Sequence, residues 1–290
     1  MNSIFKKIRD YFSLVKFSHT VFALPFALIG FTLGITAKDH HFSLRILLLI
    51  LLCMVFARNS AMGFNRYADH TFDALNPRTA AREIPAGKIN KGSAAVFVIL
   101  NAIFFIIAAG FINRLTLFLA PVALIVILGY SLTKRITYLC HFILGIGLSL
   151  APIGAYISVT GKFGIIPLVF SFIVITWVSG FDIIYALQDD EFDRDNKLHS
   201  IPSIAGRKGA IIISAAVHFL TFMLVITAGI LNGSGYLYWA GTCVFSLLLL
   251  YQHLIVKPND ISRVNLAFAT TNGIASILFA AFAISDLLIL

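Results

Sequence analysis

Two short polar segments interrupt an otherwise apolar chain, NRYADHTFD at 65–73 and YALQDDEFD at 185–193. Each carries oxygen-bearing side chains at four-residue spacing, namely Asn65, Asp69 and Asp73 in the first and Tyr185, Asp189 and Asp193 in the second. Residues four apart share one face of a helix, so each triplet predicts a polar stripe about two turns long. Like carboxylates on one face repel each other, and the pattern therefore calls for a cation between the stripes.

The chemistry of the stripe positions indicates which cation this is. Cysteine and histidine are absent from these six positions, which argues against zinc, and oxygen-only ligands suit Mg²⁺. Proteins usually hold Mg²⁺ with one or two carboxylates together with the phosphates of a substrate. The stripes therefore predict a magnesium site that also takes a phosphorylated substrate.

Basic side chains lie within the first stripe, after it and after the fourth span, and Arg and Lys bind phosphate well. The candidates are Arg66, Arg82, Lys134 and Arg135. Membrane topology alone would also place basic residues there. Arg58 differs, because it lies inside the second span, two turns before Asn65 and on the same face. Such a residue usually faces the bundle interior, and snorkelling to the interface is the alternative.

The composition places these motifs in a membrane protein. Hydrophobic residues make up 59% of the chain, charged residues 12%, and the mean hydropathy is +0.92, against about 45–50% and 25% in soluble domains. The apolar stretches have the length of membrane helices. We predict an all-α polytopic bundle of nine spans around a cytoplasm-facing central cavity, at about 17–37, 43–65, 93–112, 115–131, 138–160, 164–187, 208–231, 235–256 and 264–290.

The distribution of Lys and Arg predicts the orientation. With a cytoplasmic N-terminus, seventeen of the 22 fall in cytoplasmic segments and four in outside loops. This bias accounts for most of the net charge of +9, so we predict no nucleic-acid partner. The expected location is the inner membrane of a bacterium, with the acidic stripes on the cytoplasmic side. The first span is expected to be a retained helix, with a signal sequence as the alternative.

The two stripes also predict an internal repeat. They are 120 residues apart, about four helices, and each follows an even-numbered span. We therefore expect one domain over residues 1–290, built from two diverged halves at about 17–131 and 138–256 and a last helix at 264–290.

The two motifs, with NPRTAAREIPAG after the first and DNKLHSIPSIAG after the second, resemble the UbiA superfamily of intramembrane prenyltransferases. The similarity is to its N-x-x-x-D-x-x-x-D and Y-x-x-x-D-x-x-x-D motifs, and the nearest branch is the 4-hydroxybenzoate polyprenyltransferase type of quinone biosynthesis. The resemblance covers nearly the whole chain and implies Mg²⁺-dependent transfer of a polyprenyl group from its diphosphate to an aromatic acid, with a bilayer holding the isoprenoid tail.

The resemblance also implies roles for individual residues. Asn65, Asp69 and Asp73 would hold Mg²⁺ and the donor diphosphate from one half, and Asp189 and Asp193 from the other. Lys134 and Arg135 match the basic pair after the fourth helix and would grip the diphosphate. Arg66 and Arg82 are weaker candidates for that task, and Tyr185 falls at the tyrosine position of the family.

Two departures from the pattern concern the acceptor. Arg66 stands where many members have an acid, and the first helix begins KFSHTVFALPF rather than with an Arg-containing segment. A related aromatic acid in the futalosine route to menaquinone is therefore an alternative acceptor. Ser18 and His19 could contact the acceptor or simply open a helix at the interface. His141 and His218 are expected to be polar packing residues inside spans.

Two readings from other classes compete with this one. Transporters also combine repeats with intramembrane charges, but their sites usually lie at mid-membrane on broken helices. Here the acids lie at the predicted cytoplasmic ends of helices. Phosphotransfer from a nucleotide-activated alcohol to a lipid also uses aspartates and Mg²⁺, but we would expect one tighter acidic motif rather than two separated stripes.

Overall fold

The computed structural model describes residues 2–15 and 22–289, with side chains from residue 9 onward. Lys16, Ser18 and His19 lie outside the described residues. The helices are α1 (Asn2–Val15), α2 (Leu24–Ile35), α3 (Leu44–Leu75), α4 (Lys91–Gly110), α5 (Arg114–Thr133), α6 (Cys140–Thr160), α7 (Ile165–Ala186), α8 (Asp190–Asp195), α9 (Ile201–Asn232), α10 (Tyr236–Ile255) and α11 (Asn272–Ile289).

The prediction of an all-α membrane protein is confirmed. Eight helical segments of the described chain are long and apolar enough to cross a membrane, with α7 counted together with α8, and α2 is a shorter apolar helix. A lipid environment offers no hydrogen-bond partners, so a spanning segment has to satisfy its backbone internally, as these helices do. Most predicted spans match within a few residues.

The last predicted span begins with a π-helix at Leu266–Thr271 before α11, and three further elements differ from the predicted pattern for physical reasons. Helix α3 continues ten residues past its predicted end at 65, because the first polar stripe is itself helical. Helix α9 starts at Ile201 rather than 208, since Ser200 caps it and Gly206, with φ 65° and ψ 172°, allows a kink within it. Helix α1 was not predicted, because residues 2–15 are too polar for a span.

The chain forms two compact units, one of residues 1–20 and 48–132 and the other of 21–47 and 133–290. In the first, Asn59 of α3 donates to Asn101 of α4 at 2.9 Å. The end of α1 packs there on the connection between α3 and α4 through Leu14 and Ile84. In the second unit, α7 is the central helix, packed against α2, α6 and α9. A buried helix of this kind can hold polar side chains in fixed positions.

Glycines let helices of the second unit approach closely, as is usual in membranes. A Cβ on Gly30 of α2 would clash with the carbonyl oxygen of Pro152 on α6. Gly30→Ala should therefore force α2 and α6 apart and lower stability by about 1–3 kcal/mol, as overpacking does. The check is the thermal midpoint in detergent. Gly154→Ala on α6 is the control, because its Cβ meets nothing within 4 Å. Equal midpoints for the two variants would contradict the close contact.

Candidate active site

The first stripe occupies the last three turns of α3. The Asn65 side-chain amide donates to Asp69 Oδ2 at 3.0 Å, so these two stripe residues are paired along the helix. Asp73 is 5% exposed, and its Oδ1 accepts from Arg82 Nη1 at 2.6 Å. Thr79 donates to the Asp73 backbone carbonyl at 3.1 Å, which folds the segment after α3 back on the helix end. The fold therefore brings Arg82 onto the stripe, as the sequence suggested for a diphosphate-binding region.

A buried carboxylate oxygen in this stripe lacks a partner. Oδ2 of Asp73 has no hydrogen-bond donor within the described residues. Buried polar atoms are almost always satisfied, and exceptions point to a bound water or ion or to a functional role. The stripe as a whole carries carboxylate and amide oxygens, and oxygen ligands suit Mg²⁺. The stripe fits a hard cation, although no three Asp, Glu, His or Cys side chains of the described chain converge closely enough to hold an ion by themselves.

Tyr130 is a candidate site residue that the sequence analysis missed. It lies near the end of α5 and interacts electrostatically with Asp69, Arg66 and Arg58 of α3. Arg66 is 2% exposed, so it is a buried cation beside the stripe rather than a surface anchor. Tyr130 precedes Lys134 by four residues, and this helical spacing is the signal that could have pointed to it.

The second stripe is interrupted, which the four-residue spacing did not predict. Helix α7 ends at Ala186, a 3₁₀ turn covers Leu187–Asp189, and α8 begins at Asp190. A 3₁₀ turn has three residues per turn, so it changes the direction of the side chains that follow it. Tyr185 stacks on Phe268 with ring centroids 4.1 Å apart, and Asp189 is 8% exposed.

Asp193 ends the second stripe in an ion pair, as Asp73 ends the first. Its Oδ1 lies 2.7 Å from Lys134 Nζ, and its Oδ2 accepts from Ser200 Oγ at 2.8 Å. Burial lowers the pKa of Lys134, but the charge and the hydrogen bond of Asp193 outweigh burial and raise this pKa above its ordinary value. The ammonium group therefore stays charged. Arg135, its neighbour, is exposed.

The remaining acids of the second segment have a different role. Asp190 receives two hydrogen bonds from Arg207, at 2.9 Å from Nε and 3.0 Å from Nη2. This bidentate pair ties α8 to the start of α9, and Glu191 adds a longer contact to the same Arg207. The acids of this segment therefore have two roles. Asp189 and Asp193 belong to the stripe, and Asp190 forms a structural ion pair with Arg207.

Comparison with known proteins agrees with this fold and these motifs. The profile described as the UbiA prenyltransferase family matches residues 23–282, and the chain therefore belongs to the UbiA prenyltransferase family. It is an integral membrane prenyltransferase.

Similar proteins include a 4-hydroxybenzoate octaprenyltransferase of Aliivibrio fischeri, 28% identical over 84% of this chain and 85% of the relative. One with the same description from Cronobacter sakazakii is 30% identical over 77% of each chain.

Solved structures of the same fold include an apo UbiA homologue from Aeropyrum pernix K1, with 30% identity and a TM-score of 0.83. The match covers 92% of this chain and 98% of the homologue. A UbiA homologue from Archaeoglobus fulgidus, bound to GPP and Mg²⁺, has 21% identity and a TM-score of 0.70, and here the match covers 96% of this chain and 99% of the homologue.

Proposed function

We propose that the chain transfers a polyprenyl group from polyprenyl diphosphate to a hydroxylated aromatic acid of the 4-hydroxybenzoate type, with Mg²⁺, in quinone biosynthesis. The observation that carries the proposal is the pairing of each motif's last aspartate with a cation, Asp73 with Arg82 and Asp193 with Lys134. Such interleaved acids and bases suit a metal bound to a diphosphate. The names of the relatives support the aromatic acceptor.

In this proposal the acidic residues bind the metal and the basic residues bind the diphosphate. Asn65, Asp69, Asp73, Asp189 and Asp193 would hold Mg²⁺, which supplies Lewis-acid stabilisation of the leaving diphosphate. Arg and Lys place further positive charge where negative charge grows as the allylic C–O bond breaks. We assign this task to Lys134, Arg82, Arg66 and Arg135.

The apolar bundle would protect the allylic cation. Water would quench such a cation, and a site within membrane helices excludes water. The acceptor ring attacks the cation instead. We place the site at the cytoplasmic side of a bacterial inner membrane. There polyprenyl diphosphate can enter the site while its tail stays in the bilayer. Arg58 and Tyr185 would line the wall of the site.

An acceptor panel tests the proposal. The purified protein in lipid nanodiscs, given a polyprenyl diphosphate, should form a prenylated product with 4-hydroxybenzoate when Mg²⁺ is present and none with EDTA. Mass spectrometry of the product and release of diphosphate are the measurements. Other aromatic acids, among them menaquinone precursors, complete the panel. Product with a different acid would correct the acceptor, and the absence of product with every acid would contradict the proposal.

A further inference from the structure

A third acid lies on α7 outside both motifs. Asp182 precedes Tyr185, the first residue of the second motif, by three residues within α7, so the two lie on one face of this helix. Between Thr176 and Asp190 all residues are buried except three. These three, Asp182, Tyr185 and Gln188, are half-buried. The partly open edge of this helix therefore runs from Asp182 towards the second motif.

His141 fixes one oxygen of this carboxylate. Its ring is 2% exposed, and Nδ1 lies 2.7 Å from Asp182 Oδ2. The backbone N–H of Ile201 donates to Nε2 at 3.2 Å, so Nε2 has to carry a lone pair. The hydrogen-bond network thus assigns the proton to Nδ1, which donates to Asp182. In this arrangement Ile201 binds one ring nitrogen of His141 and the other ring nitrogen holds the carboxylate of Asp182 in one orientation.

A structural aspartate of the same unit shows what a purely packing role looks like. Asp286 is 3% exposed, and its two oxygens accept from the backbone N–H groups of Gly235 and Tyr238 at 2.8 and 3.2 Å. Both oxygens of Asp286 therefore bind backbone N–H groups at the start of α10. The Asp182 side chain instead remains 22% exposed while a buried histidine orients it. A carboxylate that is oriented and still open is suited to proton transfer.

The proposed reaction needs such an acceptor for a proton. Attack of the aromatic ring on the allylic cation forms a C–C bond and leaves a ring carbon that holds both the new substituent and a hydrogen. Aromaticity returns only when that proton leaves. A site that excludes water to protect the cation also lacks water to accept the proton.

We propose that Asp182 is the base that takes this ring proton, an inference that rests on the function proposed above. The C–O bond of the donor breaks with its electron pair on the diphosphate, and a ring electron pair forms the C–C bond. The C–H pair then restores the aromatic ring while the proton moves to the carboxylate of Asp182. The proton later leaves to water with the products, and His141 is the positioning residue.

A ring-deuterium isotope effect tests the assignment. The acceptor is 4-hydroxybenzoate deuterated at the two carbons next to the hydroxyl. Asp182→Asn, which keeps an oxygen for His141, should lower kcat by about 100-fold, within the range for general base catalysis. It should show a primary isotope effect larger than that of the wild type, because proton loss becomes slow. The KM for the donor and the protection that donor and Mg²⁺ give against thermal unfolding should not change.

Two further variants keep the test decisive. Asp182→Glu retains a carboxylate and should recover part of the activity. If Asp182→Asn does not fold, the isotope effect of Asp182→Glu is measured in its place. Asp286→Asn is the matched control, expected to lower the thermal midpoint without raising the isotope effect. A wild-type kcat in Asp182→Asn, or a lowered kcat without a raised isotope effect, would overturn the assignment alone. Failure of the wild type to prenylate the acid would contradict the proposed function as well.

Discussion

Asp193→Asn should lower kcat by at least about 100-fold, the scale of losing one preorganised group that stabilises transition-state charge. In the structure Asp193 is 1% exposed and binds both Lys134 and Ser200. The amide still accepts from Ser200 but removes the charge that holds Lys134 and would hold Mg²⁺. The measurement is the initial rate of prenylation at saturating donor, over a range of Mg²⁺ concentrations.

Asp190→Asn is the matched control for this variant. Asp190 lies in the same short helix and is also buried, but it pairs with Arg207. Its replacement should lower the thermal midpoint and leave kcat within a few-fold. If both variants keep wild-type kcat, the second motif is not part of the catalytic machinery. Equal losses in both would mean that the effect reflects folding of α8.

The sequence predicted the features that depend on local spacing. Helical periodicity and hydropathy located the spans, and the four-residue spacing of Asn65, Asp69 and Asp73 correctly predicted one continuous helical stripe. The same spacing in the second motif was misleading, because a 3₁₀ turn separates Tyr185 from Asp193. The spacing of polar residues alone does not distinguish an α-helical turn from a 3₁₀ turn.

Contacts between distant segments could not be predicted from one sequence. The sequence identified Lys134 as a basic residue after the fourth span, but its pairing with Asp193 depends on where the 3₁₀ turn between α7 and α8 places Asp193. His141 was expected to be a packing residue, and its bond to Asp182 spans 41 positions in the chain. The facing of the two stripes across one cavity and the internal repeat remain predictions.

Under the proposed function, the two ion pairs would exchange partners when substrate binds. Arg82 and Lys134 now neutralise Asp73 and Asp193. A buried carboxylate without a cation is costly, so each basic side chain compensates the charge of its aspartate. In the proposed enzyme Asp73 and Asp193 would hold Mg²⁺, and Arg82 and Lys134 would then be available to bind the diphosphate. The same four side chains would then serve both the site without ligands and the site with Mg²⁺ and diphosphate.

Asp73→Asn tests the first stripe, with an expected loss of kcat of at least about 100-fold. Its Oδ1 is held by Arg82 and its buried Oδ2 lacks a donor within the described chain, so the position is prepared for a second cation. The amide would place N–H donors where a metal ligand is needed, and more Mg²⁺ should be required for half-maximal rate. Mg²⁺ titration of the prenylation rate is the measurement.

Glu83→Gln distinguishes the stripe from acidity in general. Glu83 is 7% exposed and lies in the same unit as Asp73. Ser13 donates to its Oε1, and its buried Oε2 has no donor among the described residues. It differs from Asp73 in lying outside the helical stripe. We expect Glu83→Gln to keep kcat within a few-fold and to leave the Mg²⁺ requirement unchanged, with any loss confined to the thermal midpoint. A Mg²⁺ requirement that rises equally in both variants would mean that local charge, rather than ligation by the stripe, controls the metal.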